Sequence, residues 1–312
     1  MYIFEYEFMT VLRATQNNRF GYIKVTNSDC VHNQIVYADG LIEDIYPLDK
    51  STTRYRGGLT ISGKDQWWQW VCNNNNGISP QEYIWDAEIP EGEEFVDMGD
   101  RFKSRRIVVS NKRCIWTDYD TCMWLVSKNG ALLKHVRVEH THELCLAAAK
   151  TCGQSIMFAK ILSDEILLAA VKQYGLSIEL IPTNKRTAEI CTEAVRERPL
   201  ALEHVPENLQ TYDMCMDAVS KYGFTLSYVK IPMTKDMVMA AVRNFGAALR
   251  FGGNLIDNDV IMEAVNQQGL SLMYAPFQNK EMCVCAVKNN RHAMDYVKDI
   301  YKYDCQKYIN DR

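Results

Sequence analysis

The sequence predicts an α+β protein, with a small β-rich amino-terminal domain over residues 1–112 followed by an α-solenoid of about eight short helical repeats over residues 113–312. Three observations predict it. Glycine recurs at a near-fixed interval through the second part of the chain. A residue able to cap a helix stands twelve positions before each recurrence. The first 112 residues show few helical periods and many β-branched and aromatic residues, broken by turn signals.

In the first domain the strand candidates are residues 2–14, 20–26, 34–38, 57–61, 82–89, 94–98 and 105–110, punctuated at "RYRGG", "NNNNG" (Asn73 to Gly77) and "IPEGE". One helix interrupts them. "SGKDQWWQWV" carries Ser62 and Asp65 in capping-box register and sets Trp67, Trp70 and Val71 on one face, which pins that helix to the sheet.

The repeat register is anchored at Gly130, Gly153, Gly175, Pro199, Gly223, Gly246, Gly269 and Arg291, spaced 22 to 24 residues apart. Twelve residues before these stand Asp118, Thr141, Ser163, Thr187, Thr211, Thr234, Asp257 and Asn279, each with a side-chain oxygen that can satisfy free amides at a helix start. An acid follows two residues later in every copy, where it meets the positive end of the helix dipole. Each unit therefore reads as a helix of about 11 residues, stopped by a glycine at positive φ, with one or two further turns packing back on it. No such unit buries its apolar face alone, so the units stack.

Eight residues before the anchor stand Cys122, Cys145, Leu167, Cys191, Cys215, Val238, Ile261 and Cys283. Cysteine shares this slot with leucine, valine and isoleucine, so these thiols read as core packing and not as metal ligands. His135 and His204 fall in a slot that other copies fill with Phe158, Tyr228, Phe251, Tyr274 and Tyr296, which reads as aromatic packing. His140 and His142 lie in a connector without a matching third ligand, so no metal is expected.

With 35 basic and 39 acidic residues the formal charge is −4, which gives no general pull toward nucleic acid or an anionic membrane. The opening "MYIFEYEFMTVLRAT" reads as a strand and not as a secretory leader, and no apolar run reaches the roughly 20 residues of a membrane span. The 11 cysteines, an odd number, suit a reducing compartment, and a cytoplasmic protein is expected.

"GGLTIS", the tryptophan helix, "YIWDAEIPEGEEFVDMGDRFKSRRIVVS" and the capped repeats together resemble uncharacterised repeat proteins of giant viruses and phages, with similar short repeats in bacterial effectors. The resemblance implies a small leading module and an interaction array of viral or phage origin acting in the host cytoplasm. Pro199 and Arg291 depart from the pattern at the anchor.

No GxGxxG, GxxxxGK[ST] or GxSxG is present, and no cofactor is expected. Arg13, Tyr55 with Arg56, and Glu82 or Glu88 follow a chain order that resembles NAD-dependent ADP-ribosyltransferases, and nucleotide handling is the second reading. For binding, the residue before the anchor is Tyr174, Tyr222 and Phe245 in three copies and polar in others, so the core does not dictate it. A basic run, Arg101, Lys103, Arg105 and Arg106, could meet an acidic partner. The expectation is a non-enzymatic scaffold that binds a host protein and inhibits a host defence system, with self-association also open to a stacked array.

Overall fold

The computed structural model describes residues 11–13, 22–26, 31–32, 35–44, 46, 48, 59–63, 71, 82–99 and 101–310, with backbone alone at 11–13, 22–23, 31–32 and 309–310. The chain divides into two units, Met1–Glu139 and His140–Arg312.

The first unit contains the strands β1 (Val11–Arg13), β2 (Tyr22–Thr26), β3 (Val31–His32), β4 (Ile35–Val36), β5 (Gly40–Glu43), β6 (Leu59–Gly63), β7 (Tyr83–Glu88), β8 (Glu94–Asp97), β9 (Phe102–Ser104) and β10 (Arg106–Cys114). Eight of them pair antiparallel in the order β1-β8-β9-β6-β2-β7-β10-β5, while β3 pairs with β4. Side-chain alternation brings Leu59, Ile61, Trp85, Ala87, Phe95, Ile107 and Val109 into one core with Tyr37. Lys24 lies opposite Trp85 in the β2–β7 register and is buried with it.

Three strands, β3, β5 and β9, fall outside the strand candidates, and β3 is only two residues long. β5 is only four residues long and begins at Gly40, where φ is +116°. β9 is three residues of the basic run, which has the composition of a solvated loop. β10 extends past Ser110 through a bulge at which Asn111 takes φ 56°, a conformation asparagine tolerates better than most residues. The tryptophans at 67, 68 and 70 lie outside the described residues.

After β10 come helix α1 (Tyr119–Lys128) and a 3-10 arm, Gly130–His135. The His135 ring packs against buried Trp116 at 5.1 Å, so this histidine occupies an aromatic packing slot. Burial holds its pKa below the ordinary value.

The second unit repeats one motif: α2 (His142–Thr151), α3 (Asp164–Gln173), α4 (Ala188–Glu197), α5 (Tyr212–Lys221), α6 (Lys235–Asn244), α7 (Asn258–Gln267) and α8 (Lys280–Asn289), closed by α9 (Asp299–Asn310). Every sequence-predicted cap precedes its helix by one residue and accepts an amide three residues on, as at Thr211 from Met214 (3.2 Å), Asp257 from Val260 (3.1 Å) and Asn279 from Met282 (2.9 Å). The second element of each copy is a 3-10 arm, for example Gly223–Tyr228 after α5. One apolar core runs continuously from Cys145 to Cys305.

The anchor glycines are not at positive φ, against the expectation from sequence; among the described glycines only Gly40, Gly92, Gly99 and Gly253 are. Their requirement is spatial. A Cβ built on Gly223 would lie 2.3 Å from the carbonyl oxygen of Ala241 in the next repeat, and the same clash arises at 2.4 Å from Gly153 to Ala170 and from Gly269 to Ala286. At Gly153, Gly175, Gly223, Gly246 and Gly269 the glycine and the alanine five residues before the following anchor are thus two halves of one contact, at which helix backbone meets arm backbone. Each of these glycines also donates its N–H to a side chain of the next copy: Gly153 to Gln173 Oε1 (2.6 Å), Gly175 to Glu197 Oε2 (2.5 Å), Gly223 to Asn244 Oδ1 (2.8 Å), Gly246 to Gln267 Oε1 (2.7 Å) and Gly269 to Asn289 Oδ1 (2.7 Å). The amides of Asn244 and Asn289 donate back to carbonyls of the preceding helix end, so one side chain ties two repeats.

Candidate interaction surface

The arm geometry decides what reaches the surface. In Gly223–Tyr228, Gly223, Thr225 and Leu226 are buried, which leaves Phe224, Ser227 and Tyr228 at least partly outward. The residue before the anchor has extended backbone (Tyr222, φ −146°, ψ 94°), because the chain leaves the helix there, while its N–H still bonds to Ala218 O. Its side chain points away from the core. Tyr222 is 47% and Phe245 36% exposed, and Tyr174 is half-buried.

These positions join across repeats. Tyr222 lies 6.3 Å from Phe224, whose ring meets Tyr228 at 5.7 Å and Phe251 of the next arm at 5.5 Å, both edge-on. The Arg250 guanidinium then bridges Phe251 (5.0 Å) and Tyr274 of the following arm (5.6 Å). A ridge of rings therefore spans the arms after α5, α6 and α7, with Arg250 bridging its last step. In the same row as Tyr222, Arg198 covers the Tyr174 ring at 5.8 Å. Phe245 abuts the glycine of the preceding arm, where a Cβ on Gly223 would sit 3.0 Å from its own Cβ. Phe224 and Arg250 were not singled out from sequence, and Phe251 and Tyr274 were read only as aromatic packing, which is how the residue five after the anchor reads when taken one copy at a time.

The remaining candidates are spread over the first unit. Arg13 is on β1 and Glu88 on β7, strands with four others between them in the sheet order, and Tyr55 and Arg56 lie outside the described residues. Glu82 forms an ion pair with Arg137. In the basic run Lys103 is buried, Arg105 pairs with Glu43 at 3.0 Å and Arg106 with Glu93 at 3.8 Å, while Arg101 is half-buried.

His142 Nε2 lies 3.0 Å from Ser163 Oγ and 3.5 Å from Glu165, and among the described residues no three His, Cys, Asp or Glu side chains converge as a metal site. The thiols of the cysteine slot are buried, and Cys215 Sγ donates to Gln210 Oε1 at 3.6 Å. Among the described residues no helix is long and apolar enough to cross a membrane.

A family model described as a domain of unknown function, DUF4116, matches residues 188–232, 234–278 and 257–302. Residues 188–302 are similar to that family. Each match begins at a helix start and takes in two helix-and-arm copies, and the second and third overlap by one copy. The aromatic ridge lies within these matches. No curated protein and no solved structure matches the chain.

Proposed function

We propose that this protein is a non-enzymatic binding scaffold whose helical array presents the Tyr222–Tyr274 ridge to a partner protein. The observation that carries this reading is the file of rings across three arms, joined by Arg250 at its last step and by Phe224 at its start, a position where other copies have Gln154, Ala131 or His292. Rigid, half-exposed aromatic side chains lose little entropy on contact and are frequent hot spots. The resemblance to giant-virus and phage repeat proteins points to a host protein as partner, with inhibition of a defence system as the outcome.

The test is affinity capture with the full chain against a variant carrying Tyr222→Ala, Phe224→Ala and Phe251→Ala. At about 2 kcal/mol per hot-spot ring, even one such loss weakens capture roughly 30-fold. Circular dichroism should show the fold retained. Gly223→Val is the control: its branched side chain collides with Ala241 O, so helix content and capture should fall together. Undiminished capture by the folded triple variant would exclude this surface.

A further inference from the structure

The second unit contains six described arginines, and they divide by environment. Arg196 pairs with Glu193 and Arg243 with Glu263, and Arg186 donates to the carbonyls of Ile181 and His204. Arg198, Arg250 and Arg291 are exposed and make no ion pair among the described residues. Two of these three, Arg198 and Arg250, are the ones laid against rings of the aromatic surface.

A guanidinium held over a ring at these distances still has N–H groups to offer, and a carboxylate can accept two parallel hydrogen bonds from it. The ring contact restricts the side chain beforehand, so less rotamer entropy is lost when an acid arrives. Among the described residues Arg186, Arg196 and Arg243 are satisfied by the chain's own carbonyls or carboxylates and Arg291 meets no ring, whereas Arg198 and Arg250 are held against rings and make no ion pair.

We propose that this surface binds an extended acidic segment of a partner protein, with carboxylates on Arg198 and Arg250 and apolar side chains on Tyr222, Phe224 and Phe251 between them. This rests on the scaffold reading above. Arg198 and Arg250 belong to copies two apart, and stacked helices lie about 8–10 Å apart, so the two guanidinium groups are separated by roughly 16–20 Å along the array. An extended chain advances about 3.3 Å per residue, which places the two acids five or six residues apart. Burial raises the Tyr228 pKa and Glu203 beside it adds to the rise, so Glu203 disfavours a further acid at that point. The chain's net charge of −4 disfavours a long polyanion such as nucleic acid, for which a short acidic peptide is the better fit.

The test pans a random dodecapeptide phage library on the full chain and measures the enriched peptides by fluorescence anisotropy. Enriched sequences should carry two acids five or six apart with an aromatic or leucine between them. Their affinity should fall at least tenfold in the Arg198→Gln/Arg250→Gln variant, and equally when the peptide acids become Gln. Enriched peptides without acids, equal binding by the double variant, or tighter binding of a single-stranded oligonucleotide overturn the proposal. Peptides that depend on Tyr222 and Phe251 but not on the arginines overturn it while leaving the scaffold reading in place. A library without ridge-dependent binders overturns both.

Discussion

Pro199 has no N–H to donate, and Lys221, which stands where the next copy should offer an acceptor, has no oxygen to receive one. Elsewhere in the array the anchor N–H bonds to the residue two before the following anchor, as Gly223 does to Asn244. The two exceptions fall at one joint. Lys221 turns instead to Asp217 at 2.7 Å, and the joint is held by Gln210, whose Nε2 donates to Tyr228 O (2.9 Å) and whose Oε1 accepts from Lys230 N (2.8 Å). Replacing only one partner leaves a donor or an acceptor unmatched, whereas replacing both restores the pair.

The double variant Pro199→Gly/Lys221→Asn should therefore be more stable than the sum of its single variants, by a coupling of about 0.5–1.5 kcal/mol in a double-mutant cycle. Guanidinium unfolding followed by helical circular dichroism measures it. Additivity within about 0.3 kcal/mol would show that the missing rung has no energetic consequence.

The cysteines predict a labelling order. Burial pushes the Cys122, Cys191, Cys215 and Cys283 thiols up to about 11, and Cys145 is shifted in the same direction. Few thiolates exist there at pH 8, and access is closed. Brief alkylation of the native protein, read by peptide mass spectrometry, should modify half-buried Cys114, Cys152 and Cys285 well before Cys145, Cys191 and Cys215. Labelling of all at one rate would refute core packing.

The first unit should grow more stable as pH rises from about 7 toward 10. Lys24 is 2% exposed, donates from Nζ to Thr60 O at 2.9 Å and lies 4.6 Å from the centre of the Tyr37 ring. Burial brings its pKa down from 10.5 to about 7. Between those values the unfolded chain holds a proton that the folded chain lacks, so stability is fullest above the upper value and is lost as pH falls toward about 7. Tyr37, shifted upward by burial and by Asp44, acts in the opposite sense above pH ~10, because the unfolded chain then loses the phenol proton first. All six tryptophans lie at or before Trp124, so their emission reports on this unit alone. The melting temperature read that way should climb from pH 7 to 9 in the wild type and stay level in Lys24→Met. A wild-type profile that is flat or falling over that interval excludes a neutral buried amine.

The helix starts were legible because a cap and an acid two residues on, written eight times in one register, and an alanine seven residues on, written seven times, are local features. The cysteine slot was legible for the same reason: one position compared across copies shows which side chains substitute for one another. β3, β5 and β9 were not, since strands of two to four residues carry almost no period of their own and β5 and β9 are held by neighbours distant in sequence. Nor was the burial of Lys103 within the basic run, which the sheet decides.

What the sequence by itself determined, then, is the repeat, its helix boundaries and its core positions, because each depends on residues within about three turns of one another. The tertiary structure decided why the anchor is glycine, which side chain receives its N–H, and that Tyr222, Phe224, Phe251 and Tyr274 form one surface with Arg250. Those relations link residues of successive copies, some 20 positions apart. They come into being when one backbone is stacked on the next at a separation too short for a Cβ.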